Sequence, residues 1–275
     1  MALQIDSSEL VARLLSATVL ILISLACLWA GTFPFAVLVA VLGVAMCWEW
    51  GCAVRAQSVD SSFVLHAATA VVASLGTVLA GPLIALTVVA AGSGALAIIN
   101  LGKSGFWSGI GALYVGLPAI GLVWMRNDVE LGAIAVLFIL CIVWAHDTFA
   151  MMVGRTVGGP RLWPRLTPNK TWSGAIGGLA ASVIAGIVFA QFLATASGWQ
   201  LAGTGLALGL AGFAGDLVES AFKRVHGLKN ASNLIPGHGG VLDRLDGVVA
   251  ATLLSTLMAI LINPDWPARA LLYLN

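Results

Sequence analysis

Charge is what this sequence has least of. Only 9% of its 275 residues are Asp, Glu, Lys or Arg, against about 25% in an ordinary soluble domain. So few charges argue against a domain folded in water. Alternation at helix or strand period is also missing, because the hydrophobic residues, 60% of the chain, fall in long runs instead. There is no basic tail and no heptad pattern, and the formal net charge is +1, so nothing points to nucleic acid. Cysteine is sparse: Cys27, Cys47, Cys52 and Cys141 lie in or at the ends of apolar runs, without metal-ligand spacing. They read as small buried hydrophobes and give no disulfide framework.

What is present in abundance is apolar length. A bilayer core takes about 20 apolar residues per helix, and the chain offers such stretches almost end to end. The expected architecture is an all-α polytopic membrane protein with nine spans, near 11–30, 34–53, 63–80, 83–101, 106–125, 131–153, 173–194, 200–222 and 247–263. The third and fourth share a tight "AGPL" turn. The first follows Asp6 and Glu9 and has no small-residue cleavage site, so it reads as a retained helix and not a signal peptide.

Basic residues test the count. With the N-terminus cytoplasmic, Arg13, Arg55, Lys103, Arg155, Arg161, Arg165, Lys170, Lys223, Arg224, Lys229 and Arg244 fall on one side, and Arg126 and Arg269 on the other. Eleven against two is a strong positive-inside asymmetry. It places two long loops, 154–172 and 223–246, in the cytoplasm, and these hold eight of the thirteen basic residues. Composition therefore divides the chain into scaffold helices over 1–130 and a region over 131–275 in which the polar residues are concentrated, the candidate catalytic part. In the scaffold, closely spaced Gly and Ala, as in "GSGALA" (92–97), suit helices packed backbone to backbone. That stretch follows no strand and so is not a dinucleotide fingerprint.

The acidic residues are the candidates for chemistry. Asp147 lies inside the sixth apolar run, and Asp216 near the end of the eighth, with Glu219 one turn on. Asp243 and Asp246 stand three apart, on one face of the last helix. Ionised groups at such positions are costly unless paired, hydrated or bound to a cation, and by default they mark function. Carboxylates beside Lys170, Lys223, Arg224, Lys229 and Arg244 suit Mg²⁺ and phosphate: the ion takes one or two carboxylates, water and substrate oxygens, and the bases neutralise what remains. The glycines of "PGHGG" (236–240) would let backbone N–H groups approach an anion, with His238 as a ligand or phosphate contact.

A purely structural account competes. Glu219 stands in the favourable i, i+4 order with Lys223, and Asp216 could join that pair. Asp243 and Asp246 could cap the last helix and pair with Arg244. Glu49, between two tryptophans in "CWEWG", reads as an interfacial anchor. His66 reads as structural, and His146 and His226 stay open.

Taken together, "SAFKRVHGLKNASNLIPGHGGVLDRLD" (220–246) resembles the signature of the CTP:phosphatidate cytidylyltransferases, or CDP-diacylglycerol synthases. The resemblance extends to "RLLSA" (13–17), "WEWG" (48–51), "WAHDTFA" (144–150), "TPNKTWSGAIGG" (167–178) and "GDLVESAFKR" (215–224), in the family's order. It implies a multi-pass enzyme of the inner membrane, active on the cytoplasmic side, that condenses CTP with phosphatidic acid in a Mg²⁺-dependent reaction and forms a homodimer. By the same resemblance Asp216, Asp243 and Asp246 would be the metal-binding carboxylates. Lys223, Arg224 and Arg244 would act with them on the reacting phosphates. Asn169, Lys170, Lys229, Ser220, Asp147 and the turn Gly237, His238, Gly239 and Gly240 would bind substrate. The chain departs from the pattern at Asn230, where the family has aspartate, and at Phe149 and Met151, where it has glycine and tyrosine. Three alternatives stay open: a CTP-dependent polyprenol or diacylglycerol kinase, a catalytically weak paralogue acting as a partner protein, and an ion-coupled transporter. The last lacks the inverted repeat it would need.

Overall fold

The computed structural model describes residues 7–57, 59–232, 234–235 and 239–275. Its helices are α1 (Ser7–Ala30), α2 (Thr32–Arg55), α3 (Ser61–Ala80), α4 (Pro82–Ile99), α5 (Lys103–Arg126), α6 (Gly132–Thr156), α7 (Trp172–Ala190), α8 (Gly198–Val225), α9 (Leu242–Ile262) and the short α10 (Pro267–Tyr273). Each expected span coincides with one of α1–α9. Among the described residues eight of these are long and apolar enough to cross a membrane, and α1 carries the shorter apolar stretch Thr18–Ala30. The "AGPL" turn does separate two helices: Gly81 takes φ +89° and Pro82 opens α4, where its missing N–H costs nothing.

The chain forms two compact units. One comprises Met1–Ala119 with His226–Arg244, the other Ile120–Val225 with Leu245–Asn275. In the first unit α2 packs on α3 and α3 on α4, around Phe35, Val39, Met46, Trp50, Ala73, Val89 and Leu96. In the second, α6, α7 and α8 pack in succession around Val136, Phe138, Ile139, Leu201 and Leu208. With lipid tails as apolar as leucine, close packing of small residues holds such helices together better than burial alone. All four cysteines are free, and Cys47 is buried.

The helix ends follow local chemistry. Asp60 caps α3 by accepting the Phe63 N–H at 2.6 Å and also receives Arg55 Nε at 2.9 Å. Burial would raise the Asp60 carboxyl, but the hydrogen bonds from Arg55 and Phe63 N–H, with the Arg55 charge, outweigh it and hold the group below its ordinary value. Its contribution is therefore complete above the unfolded carboxylate value of about 4 and is lost as pH falls through the lowered folded value. Asp60→Asn is expected to cost about 1 kcal/mol. It should lower the thermal midpoint at pH 7 and leave that midpoint less sensitive to acid than in the wild type.

Two helix ends and one loop differ from the sequence reading. α7 stops at Ala190 and not near 194, because the chain tightens there into i→i+3 bonds (Gln191 N–H to Val188 at 3.1 Å, Leu193 N–H to Ala190 at 3.2 Å). α9 starts at Leu242, five residues before the apolar span expected from 247, so Asp243 and Asp246 stand on this helix as expected, and Glu49 accepts the Val241 and Leu242 N–H groups at its start. The loop 154–172 contains an antiparallel hairpin of β1 (Arg161–Trp163) and β2 (Thr167–Thr171), with Arg161 opposite Thr171 and Trp163 opposite Thr167. Thr171 then caps α7 by accepting the Gly174 N–H at 3.1 Å.

Candidate active site

In the second unit, β2 delivers Lys170 to α8. Its ammonium forms an ion pair with Asp216 Oδ2 and lies 5.4 Å from the centroid of the Phe213 ring, one turn earlier on the same helix. The His146 ring, on α6, approaches Phe213 with centroids 5.7 Å apart. Lysine over an aromatic face gains a cation–π attraction besides the ion pair, so two features of α8 fix where the ammonium sits.

Asp246 is brought to the same place by close helix packing. A Cβ on Gly215 would stand 2.6 Å from the Asp246 carbonyl oxygen and 2.6 Å from Ala250 Cβ, so only glycine allows α8 to meet α9 this closely. Asp216 follows Gly215 directly, which places it beside Asp246. Asp246 is 9% exposed, and its Oδ1 accepts the Gly247 N–H at 2.8 Å. The charges of Asp216, Asp147 and Lys170 all act on it. Among these four groups, three carboxylates face one ammonium. The formal excess is two negative charges, which is what one divalent cation would balance.

Among the described residues no three or more His, Cys, Asp or Glu converge tightly enough to hold an ion by side chains alone. The hard, oxygen-only donors Asp216 and Asp246 nevertheless suit Mg²⁺, which keeps several positions for water and substrate phosphate.

In the first unit, Asp243 organises the loop before α9. Its Oδ2 accepts Ala231 N–H at 3.2 Å and Gly240 N–H at 3.0 Å. Asp243 therefore has a structural role, but its partners are loop N–H groups and not those of the helix it was expected to cap. Glu49 corrects the expectation of an interfacial anchor. It is fully buried and accepts hydrogen bonds from Ser232 Oγ (2.5 Å), Val241 N–H (2.8 Å) and Leu242 N–H (2.7 Å). A lone "WEW" reads equally well as an interfacial motif, and its partners lie more than 180 residues away, so no local pattern announces them.

The remaining candidates sort by place. Glu219 pairs with Lys223 at 2.7 Å, as the i, i+4 order suggests, while the partner of Asp216 is Lys170 and not Lys223. Asp147, Asn169, Arg224, Lys229, Asn230 and Arg244 are exposed; Ser220 and Gly239 are half-buried and Gly240 is buried. Gly237 and His238 lie outside the described residues. His66 is buried on α3, and His226 meets the Trp107 ring edge-on at 5.2 Å.

Acidic groups and a lysine gathered at one helix junction of a multi-pass membrane protein suit an enzyme that handles phosphate. The chain is a member of the cytidylyltransferase family, whose model matches residues 11–262. It is similar to a protein of Brucella suis biovar 1 (strain 1330) named phosphatidate cytidylyltransferase, 39% identical over 264 residues, which is 95% of this chain and 97% of that protein. A protein of the same name from Staphylococcus aureus (strain COL) is 40% identical over 148 residues, 54% of this chain and 56% of its own length. Membership makes the chain a nucleotidyltransferase.

Proposed function

We propose that this protein transfers the cytidylyl group of CTP to phosphatidic acid, giving CDP-diacylglycerol and pyrophosphate. The observation that carries the reading is the Lys170–Asp216–Asp246–Asp147 cluster, in a chain that matches relatives of that name over almost its whole length. A phosphatidate oxygen forms a bond to the α-phosphorus of CTP as the bond to the bridging oxygen of the β-phosphate breaks, and pyrophosphate leaves with that electron pair. The nucleophile is already ionised near neutral pH, so no strong base is required. The task is to bring two anions together and to stabilise charge on the departing group.

Asp216 and Asp246 would hold Mg²⁺, and the resemblance adds Asp243 to that set. Bound there, the ion would supply electrostatic stabilisation to the phosphate oxygens. Lys170 pairs with Asp216, and its ammonium has further N–H donors that a substrate phosphate would accept. Lys223, Arg224, Lys229 and Arg244 would neutralise further phosphate charge. The reading takes the cytoplasmic face of the inner membrane as the side of reaction, supported by the eleven-to-two distribution of basic residues.

The test uses purified protein in liposomes with phosphatidic acid, Mg²⁺ and CTP labelled on the α-phosphate. Label is expected in the lipid, with one pyrophosphate released per lipid labelled. Label found in soluble CDP, when a polyprenol or diacylglycerol is supplied instead, would make the protein a lipid kinase. No turnover with any of these lipids would leave the partner-protein or transporter readings.

A further inference from the structure

Glu49 has no part in the reaction as written, yet the fold spends a buried carboxylate on it. Such a group is costly away from water unless its oxygens are hydrogen-bonded. Here three donors meet it: the Ser232 hydroxyl and the Val241 and Leu242 N–H groups. The last two belong to the opening of α9, where N–H groups have no acceptor within the helix and the macrodipole favours negative charge. A helix is usually capped by a residue just before it. The cap on α9 comes instead from α2, 192 residues before Val241 in sequence.

The contact is tight. A Cβ on Gly240 would stand 2.8 Å from Glu49 Oε1, 3.0 Å from Oε2 and 3.0 Å from Ala231 Cβ. Glycine at 240 is therefore required for the carboxylate to reach the loop backbone. The Gly240 N–H in turn is held by Asp243 Oδ2. Glu49 and Asp243 thus grip the same short stretch of backbone, one from α2 and the other from within α9.

We propose that Glu49 is a positioning residue for nucleotidyl transfer: by capping α9 from α2 it fixes the orientation of Asp243 and the start of the helix that carries Asp246. The proposal rests on the assignment of those aspartates to the transfer reaction. Glu49 itself touches no substrate; it acts through the loop 231–232 and 239–242.

The full chain in lipid nanodiscs tests this with Glu49→Gln, which keeps the side-chain size but turns one acceptor into an NH₂ facing a backbone N–H. Hydrogen exchange over the segment containing Val241 and Leu242 is expected to quicken about tenfold or more. Over the same change kcat should fall about tenfold while KM for CTP moves by less than about threefold, because geometry and not substrate contact is lost. Ser232→Ala removes one donor and should cost about threefold in kcat. The double variant should be no slower than Glu49→Gln alone, since both act through one linkage.

Wild-type exchange or wild-type kcat in Glu49→Gln would overturn the proposal, as would losses that multiply in the double variant. Should Glu49→Gln fail to accumulate in the membrane, Ser232→Ala decides alone, and unchanged exchange and kcat would overturn it. A wild-type protein that transfers no label to phosphatidate sinks the reaction assignment, and the positioning role with it. A wild type that transfers normally beside a fully active Glu49→Gln sinks the positioning role only.

Discussion

Asp216→Asn is expected to lower cytidylyl transfer by about a thousandfold, or about 4 kcal/mol of transition-state stabilisation. The substitution keeps the shape of the side chain and removes its charge. That charge has two tasks in the structure: it pairs with Lys170, and it adds to the negative field on Asp246. The cost to folding should be small. The Lys170 and Asp216 side chains are 28% and 34% exposed, and a pair so open to solvent contributes less than about 1 kcal/mol. Activity and stability should therefore separate: the variant inserts, keeps its thermal midpoint within a few degrees, and does not turn over. The measurement is label transfer from α-labelled CTP alongside a melting curve in the same detergent. Near-normal transfer would remove Asp216 from the site. A collapsed midpoint would make it a structural residue instead.

The parts of this protein that could be read from its residues are those governed by local rules. Among the described residues each expected apolar run is helical, and eight of these helices are long enough to cross a bilayer, which leaves the backbone few other ways to satisfy its N–H and C=O groups over such lengths. The Glu219–Lys223 pair is one helical turn long and could be read directly. The motifs holding Lys170, Asp216, Asp243 and Asp246 carry their family pattern in consecutive residues.

What could not be read depends on contacts between distant segments. Asp216 finds its partner 46 residues upstream in a two-stranded hairpin. That hairpin is too short to leave a periodic pattern, and its sequence reads as a polar loop. Glu49 was the harder case: between two tryptophans its local setting suggests the membrane interface. Only its contacts with Ser232, Val241 and Leu242 turn it into a cap. The same contacts supply what the polar start of α9, already legible in the spacing of Asp243 and Asp246, needs in order to be helical: acceptors for its first N–H groups.

Asp243→Asn is expected to reduce transfer by about a hundredfold or more while leaving the loop before α9 nearly as well ordered as in the wild type. Asp243 has two separable properties. Its Oδ2 accepts the Ala231 and Gly240 N–H groups at 3.2 and 3.0 Å, which asparagine can still do through its carbonyl oxygen. Its negative charge, which asparagine lacks, is what a hard divalent cation would need. Hydrogen exchange over residues 239–243 should therefore change little in Asp243→Asn and rise in Asp243→Ala, which loses the acceptor as well. Transfer should be lost in both. The pattern is the reverse of that expected for Glu49→Gln, in which exchange rises and kcat falls in step because the cap itself is weakened. If Asp243→Asn kept full activity, its hydrogen bonds to the Ala231 and Gly240 N–H groups alone would account for the residue.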